Sequence, residues 1–205
     1  MESVNRCQLC GSLVELPEFS HENHGRRFYK FLLDVPRLSG ASDILPVVAA
    51  DDVLDRMALD GGAMLRIDGQ IRSFNNRSGV GRRLIVSVFA DTVETCDGEP
   101  ENRAELVGAI CKPPVFRRTP LGREICDLML AVSRRYHRTD YIPCILWGRT
   151  ASEVSELPTG TVLELHGRLQ SRKYIKTLPD CAEERTTYEF SVMEAYQVPP
   201  DADIF

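Results

Sequence analysis

The chain has 205 residues, of which 43% are hydrophobic and 27% are charged, so it is long enough for one large or two small folded domains. It contains no run of about 18 apolar residues and no apolar leading segment, which predicts a cytoplasmic protein without a membrane span. The formal net charge of −5 at pH 7 argues against a nucleic-acid partner, although local patches rather than totals decide such binding.

An internal repeat with an offset of about 97 residues divides the sequence into two copies. The run Asn-Arg-x-x-Leu-x-Gly begins at Asn5 and again at Asn102. Further matching pairs are Pro17 and Pro114, Phe19 and Phe116, Gly25 and Gly122, Leu33 and Leu130, Pro46 and Pro143, and, after one extra residue, Gly69 and Gly167. A fixed offset over so many positions indicates a duplicated domain. We therefore expect a first domain at 1–96, a linker at 97–101, a second domain at 102–198 and a short acidic tip at 199–205.

Both copies have the pattern of a small β barrel. The first copy predicts strands at 27–35, 44–48, 64–74 and 83–93, with a helix around 52–59. The second copy predicts strands at 104–111, 125–133, 141–147, 161–174 and 185–196. Between them, Thr150-x-x-Glu153 is a capping-box signature for a short helix that ends near Leu157.

The order of three strands, a helix and two strands is that of the five-stranded Greek-key barrel called the OB-fold. We therefore predict an all-β protein. It would consist of two tandem five-stranded OB-fold Greek-key barrels, each with a short helix between strands three and four.

The predicted strand at 141–147 has an aromatic outer face. Ile142, Cys144 and Leu146 alternate with Tyr141 and Trp147, so these two rings point away from the core. Wide aromatic rings among cations are typical of a platform for single-stranded nucleic acid. The cations that accompany them in the second copy are Arg117, Arg118, Arg134, Arg135, Arg138, Arg149, Arg168, Arg172, Lys173 and Lys176.

Each candidate has a competing structural interpretation. Tyr136 would be a loop residue that rests on its own strand, and Trp147 would cap a barrel end or fill an interface between the copies. His21 and His24 have no metal-ligand spacing and are expected to be solvated in a polar loop.

Cys7-x-x-Cys10 resembles half of a zinc or redox site. The repeat places these cysteines at the positions of Ala104 and Val107, which favours ordinary strand residues and leaves a metal or redox role as the minor alternative. No nucleophilic triad, phosphate loop or paired-carboxylate motif is present. We expect a protein that is not an enzyme and that uses no cofactor or metal.

Several runs of the second copy form a recognisable set: Leu106-Val107-Gly108, Arg117-x-Thr119-Pro120-x-Gly122, Leu130-Ala131-x-x-Arg134-Arg135-Tyr136, Ile145-Leu146-Trp147-Gly148-Arg149, Gly167 to Tyr174, and Arg185 to Glu189. Together they resemble the bacterial-type single-stranded DNA-binding protein family. In that family, aromatics stack on DNA bases at the positions matched here by Tyr136, Tyr141, Trp147 and Tyr174. The resemblance implies sequence-independent binding of single-stranded DNA at the nucleoid, in replication, recombination or repair.

The first copy departs from this pattern and would be a degenerate domain. Its counterparts to the four aromatics are Ser39, Ile44, Ala50 and about Asn76. Phe74 is the only substitute platform, since Phe28 and Phe31 belong to a core-type strand. A basic hairpin persists at Arg72, Arg82 and Arg83. We expect this copy to supply phosphate contacts and assembly but little stacking.

The last residues extend the resemblance. Asp201, Asp203, Ile204 and Phe205 are similar to the family's acidic tip, which replication and repair partners recognise; alternatively, Ile204 and Phe205 pack on the barrel. Family members work as assemblies of four barrels, so the resemblance implies a homodimer. The rival function is an OB-fold accessory protein of the primosome, phage or plasmid type, acting mainly through protein contacts, which the negative total charge favours.

Overall fold

β strands make up most of the fold. The computed structural model describes residues 4–54, 59–76, 83–177 and 182–199, and at 176 and 177 it describes the backbone alone. Within these ranges the chain forms a 12-stranded sheet and two short helices, which confirms the all-β prediction. None of the helices in these ranges has the length and apolar character needed to cross a membrane.

The first half follows the predicted order with one additional strand. Its elements are β1 (Asn5–Leu13), β2 (Glu18–Asn23), β3 (Arg26–Pro36), β4 (Ser42–Ala50), α1 (Asp51–Leu54), β5 (Met64–Asn75) and β6 (Leu84–Thr95). The additional strand, β2, forms a hairpin with β3. His21 lies in β2 rather than in the loop that the sequence predicted, because its backbone pairs with β3 opposite Phe28.

The second half repeats this order. Its elements are β7 (Glu101–Ile110), β8 (Val115–Arg118), β9 (Glu124–Arg134), β10 (Arg138–Trp147), α2 (Gly148–Ser155), β11 (Val162–Thr177) and β12 (Ala182–Gln197). The predicted capping box is wrong. The helix begins earlier, with Trp147 in extended backbone conformation at its N-cap and no side-chain hydrogen bond there. Thr150 therefore lies inside the helix, and Glu153 pairs with Arg149 instead, at 2.7 Å.

Each half closes on itself as a barrel. In the first half, β4 and β6 run parallel and β1 also pairs with the end of β3. In the second half, β10 and β12 run parallel and β7 pairs with β9. Inward residues of alternating phase fill both interiors, among them Leu33 and Val88 in the first half and Leu130 and Phe190 in the second. The two tandem barrels have the predicted OB-fold order of strands and helices, to which β2 and β8 are added.

A single seam of backbone hydrogen bonds joins the barrels. β1 pairs antiparallel with β7, from Asn5 opposite Leu106 to Cys10 opposite Glu101. The sheet therefore continues from one barrel into the other without an edge between them, and its order is β2-β3-β4-β6-β5-β1-β7-β11-β12-β10-β9-β8.

The repeated sequence motif is explained by this geometry. The Asn5 side chain donates to the Ile71 carbonyl and accepts from the Ile71 amide, at 2.8 and 2.9 Å. Asn102 makes the same pair of bonds with Leu169. A Cβ atom added at Gly69 or Gly167 would lie 2.2 Å from the facing carbonyl oxygen, so glycine is required at both sites. These repeated residues hold the strands of each barrel together.

Candidate nucleic-acid interface

β10 has the predicted two-faced character. Ile142, Cys144 and Leu146 are buried, whereas Tyr141 is 45% and Trp147 39% exposed. The ladder with β9 explains this division, because its strict alternation keeps every second side chain on the same face. Trp147 is thus neither a core residue nor fully buried between the halves.

The outer face of β10 is covered in its middle. Ile145 is buried although it has the same phase as the two exposed aromatics. A cavity of about 190 Å³ beside this strip is lined by Pro143, Thr187 and Tyr188 of the second half and by Leu84 and Val86 of the first. The platform predicted from the sequence is therefore two separate aromatic sites at the ends of the strand rather than one open surface.

Tyr136 lies in the turn between β9 and β10 and is 90% exposed. It does not rest on its own strand. Tyr136 and His137 both adopt left-handed backbone conformations, with φ of 62° and 54°. Such conformations strain residues other than glycine and cluster at functional sites.

Tyr174 is in a different situation from the other three aromatics. It lies on the long β11, is half-buried, and its hydroxyl is hydrogen-bonded to Arg185 of β12. The neighbouring Lys173 pairs with Glu184 at 3.0 Å. The structure thus brings Tyr136 and Tyr141 to one hairpin and holds Tyr174 in a separate one.

Two fully buried aspartates lie where the barrels meet. Asp140 accepts a hydrogen bond from the Ser73 amide at 2.8 Å, and the Ser73 hydroxyl accepts one from the Tyr141 amide at 2.7 Å. In the equivalent pair the barrels exchange roles: Asp43 of the first barrel accepts a hydrogen bond from the Ser171 amide of the second at 2.7 Å. Each barrel therefore inserts a carboxylate into the other, and we call this pair of contacts the aspartate clamp.

An arginine neutralises each carboxylate of the aspartate clamp. The Arg37 Nε atom donates to Asp43 at 2.7 Å, and this bond raises the pKa of Arg37. Arg134 lies 3.6 Å from Asp140. Arg134 was predicted as a DNA contact, but at least part of its charge is used inside the protein. The sequence signal for the clamp was the repeat itself, because the arginines, aspartates and serines recur at the repeat offset.

Arg72 lies beside the clamp, near the carboxylates of Asp140 and Asp91. Its guanidinium is 3.6 Å from the centre of the Phe89 ring, and its buried Nε has no hydrogen-bond partner among the described residues. Burial lowers the pKa of Arg72, and the nearby positive charges of Arg134 and Arg138 lower it further. Burial is the largest cause of this shift, so the guanidinium is poorly solvated, and a phosphate beside it would favour its charged form.

Four of the other predicted cations are paired with carboxylates. The pairs are Arg117 with Asp127 at 2.5 Å, Arg118 with Glu124 at 2.8 Å, Arg149 with Glu153 at 2.7 Å and Arg172 with Glu189 at 3.5 Å. The first three pairs are exposed and contribute about 0–1 kcal/mol each, so a phosphate competes with them at little cost, whereas Glu189 is buried. Within the described ranges no acidic side chain pairs with Arg83, Arg138 or Arg168, and Arg135 is exposed beside Tyr136.

Some predicted residues lie outside the described part of the chain. They are Arg82, Asp201, Asp203, Ile204, Phe205 and the side chain of Lys176. Phe74 is described and is exposed near the end of β5.

The family is decided by the second barrel. Residues 101–196 match the profile of the single-strand binding protein family. The second barrel belongs to the single-strand binding protein family. All four predicted stacking aromatics fall in the part that matches this family, whereas Phe74, Arg72 and Arg83 lie outside it.

Named relatives of this family agree with that assignment. Single-stranded DNA-binding protein A of Bacillus subtilis (strain 168) is 38% identical over 80 residues, which are 36% of this chain and 46% of that protein. Single-stranded DNA-binding protein 1 of Staphylococcus aureus (strain COL) is also 38% identical, over 36% of this chain and 48% of that protein. The chain spans about half the length of these curated relatives.

The whole chain is also similar to a solved structure. The wild-type single-stranded DNA binding protein from Thermus aquaticus superposes with a TM-score of 0.80 over 97% of this chain and 95% of that one, at 20% sequence identity. At this identity the similarity establishes the fold alone. It extends the comparison to the first barrel, which lies outside the match to the single-strand binding protein family.

The cysteine pair has no reactive character. Cys7 belongs to the core, and burial raises the pKa of its thiol to about 12. Burial and a hydrogen bond with Cys96 raise the pKa of Cys10 to about 11. Both thiols are therefore protonated at neutral pH, and the thiolate is the form that attacks or binds metal. The ligand-type side chains that do lie together in the described ranges are Glu105, Glu164 and His166, of which the last two already form a hydrogen bond at 2.8 Å.

Proposed function

We propose that this protein binds single-stranded DNA without sequence preference and without catalysis, at the bacterial nucleoid, in replication, recombination or repair. Bases stack on Tyr136, Tyr141, Trp147 and Tyr174 while arginines and lysines hold the backbone. The observation that carries this proposal is the strained, 90% exposed Tyr136 on the same hairpin as Tyr141, in a barrel that belongs to the single-strand binding protein family. Neither core packing nor turn preference explains that side chain.

Physical magnitudes favour the β9–β10 hairpin as the main contact. Each base that stacks on an aromatic contributes about 1–3 kcal/mol. Arg72 and Arg138 together supply positive charge beside Tyr141. Every phosphate that such cations neutralise releases counterions, so log K falls with log salt by about 0.7 per contact for a single strand.

The test uses Trp147, the single tryptophan of the chain. Its fluorescence is quenched on titration with oligothymidine, and added salt weakens the binding. Anisotropy of labelled oligothymidine, which needs no tryptophan, measures the variants: Trp147→Phe retains tight binding, whereas Tyr141→Ala weakens it about 10-fold or more. Tyr196→Ala is the matched control, because Tyr196 is 54% exposed on β12 and outside the platform. Duplex DNA that competes as well as single-stranded DNA would exclude this function.

We further propose that two copies assemble into a homodimer of four barrels. The seam between β1 and β7 borders an open groove of about 760 Å³ with Asp68, Glu105 and Arg103 among its lining residues. Met193, which also lines it, is an exposed apolar side chain that a second copy would cover. Sedimentation at micromolar concentration tests this, and a monomer there contradicts it.

A protein-recruiting OB-fold accessory factor is the second candidate. The observation that favours it is the pairing of five predicted DNA contacts with carboxylates, together with the net charge of −5. In either function the acidic residues Asp201 and Asp203, with Ile204 and Phe205, would recruit replication or repair proteins. Binding of oligothymidine only at very low salt would support the second candidate over the first.

A further inference from the structure

The first barrel has an aromatic ring where the second has none. In the second barrel, Trp147 on β10 lies directly opposite Ile125 on β9. In the first barrel the same pair of positions holds Ala50 on β4 opposite Phe28 on β3. Directly opposite residues of an antiparallel pair share one face of the sheet. The aromatic side chain has therefore moved by one strand while staying on the face that carries Trp147 in the second barrel.

Phe28 is not part of the barrel core. Its phase on β3 is opposite to that of the core residues Phe31 and Leu33, and it does not belong to their cluster. It is only 8% exposed because another side chain covers it. His21 of β2 stacks on the Phe28 ring with the ring centroids 4.8 Å apart and the planes inclined by 11°.

The stacked pair presents its polar member outward. His21 is exposed, and its Nδ1 is hydrogen-bonded to the Ser20 hydroxyl at 3.1 Å, which fixes the orientation of the ring. The Arg26 guanidinium lies 5.8 Å from the centre of the Phe28 ring and pairs with Asp52 at 2.6 Å. A flat imidazole on a phenyl ring, with an exchangeable cation beside it, matches the stacking and phosphate requirements of a nucleotide.

The pair is connected to the second barrel by further rings and charges. Phe28 lies 5.8 Å from Phe89 of β6, and Arg72 covers Phe89 from β5. Arg72 in turn is close enough to Arg134 to be affected by its charge. A row consisting of His21, Phe28, Phe89 and Arg72 thus crosses the first barrel and ends near Asp140, the residue before Tyr141.

We propose that His21 and Phe28 form a second base-stacking site for single-stranded DNA, reached by a strand that passes from Tyr136 and Tyr141 over Arg72. This inference rests on the proposed function and reverses the expectation that the first barrel contributes little stacking. Simple surface packing does not account for the pair, because the second barrel folds with Ile125 and Arg117 at the equivalent positions.

The test compares two lengths of oligothymidine on the full chain, one of about 8 nucleotides, which one barrel covers, and one of about 32 nucleotides, which spans both. His21→Ala weakens binding of the long oligomer about 10-fold and leaves the short one unchanged. His21→Tyr restores long-oligomer affinity, which a merely structural role of His21 would not predict. The matched control is His24→Asn, since His24 is exposed in the adjacent turn with φ of 50° and asparagine tolerates that conformation.

A direct reporter separates this inference from the function on which it rests. In a Trp147→Phe background, His21→Trp places the single tryptophan at the proposed site. Quenching by the long oligomer supports the site. Binding of the long oligomer without quenching, or equal long-oligomer affinity of wild type and His21→Ala, overturns the site while the proposed function stands. Failure of the wild-type protein to bind either oligomer removes the function itself.

Discussion

The two barrels differ in what they have kept. Both have the asparagine whose side chain hydrogen-bonds to the backbone of Ile71 or Leu169, the glycine that closely approaches a carbonyl oxygen, and the aspartate clamp. Only the second retains exposed rings at the hairpin and at the end of its third main strand. Residues that hold the duplicated fold recur at the repeat offset, and the proposed stacking residues do not. The duplication thus distinguishes the structural residues from the proposed binding residues within one sequence.

The turn after β3 and the turn after β9 illustrate this difference at one position. In the first barrel, Gly40 adopts the left-handed conformation with φ of 83°. Its counterpart in the second barrel is His137, preceded by Tyr136, and both have positive φ. The first turn therefore has the residue that best adopts this backbone conformation. The second turn has a strained backbone and an aromatic side chain at its tip.

The largest expected effect tests whether the aspartate clamp is equivalent on its two sides. Asp140→Ala and Asp43→Ala should each lower the free energy of unfolding by about 3–5 kcal/mol, because each leaves an arginine and a serine amide without a buried partner. Urea unfolding measures both. Asp127→Ala, which breaks only the exposed pair with Arg117, is the control and should cost about 0–1 kcal/mol. Unequal losses for the two clamp variants would break the symmetry of the comparison.

Next in size is the close approach at the repeated glycines. Gly69→Ala and Gly167→Ala should each cost about 1–3 kcal/mol, since the added methyl group meets a carbonyl oxygen and forces the strands apart. Gly61→Ala is the control, because an added Cβ there has no neighbour within 4 Å and φ is not positive. Thermal unfolding gives the ranking. A tolerated substitution in one barrel alone would mean that the close approach of the strands there is not required.

Tyr136→Gly should separate stability from binding. Glycine relieves the left-handed strain and raises the free energy of unfolding by about 1 kcal/mol. The same change removes a stacking ring and weakens binding of single-stranded DNA by about 1–3 kcal/mol. His137→Gly should give the stability gain with little change in affinity. If Tyr136→Gly leaves affinity intact, the exposed ring has no binding role.

The smallest effect concerns the cations between the barrels. Arg72→Gln should reduce the slope of log K against log salt by about 0.7, the value for one phosphate contact on a single strand. Arg66→Gln is the control. Arg66 is also on β5, but it pairs with Cys10 of β1 and is not one of the proposed DNA contacts. Fluorescence titrations at several salt concentrations measure the slope. An unchanged slope for Arg72→Gln would mean that Arg72 does not contact a phosphate and acts only within the protein.

Much of the fold followed from the sequence because its signals are local. The alternation in β10 predicted which face Tyr141 and Trp147 occupy, and the repeat predicted two similar barrels. β2 was missed since all of its side chains are exposed, so it has no apolar alternation to detect. The capping box failed because the chain enters α2 directly from extended backbone at Trp147.

The aspartate clamp was missed for a different reason. Asp140 and Asp43 each lie one residue before a predicted strand, at 141–147 and 44–48, yet both are fully buried. Their partners Ser73 and Ser171 lie 67 and 128 residues away along the chain. A buried charge is tolerated only where such partners exist, and no local pattern in the sequence reports them.

The aspartate clamp has a consequence for how this protein can change. When a symmetric pair is made from two identical chains, every substitution is imposed on both sides of the interface. Here the two sides are encoded separately, so the contact of Arg37 with Asp43 at 2.7 Å coexists with the looser contact of Arg134 with Asp140 at 3.6 Å. The looser side is the one that faces Arg72 and Tyr141. Because both barrels are in one chain, a substitution can change one side of the contact between them without changing the other.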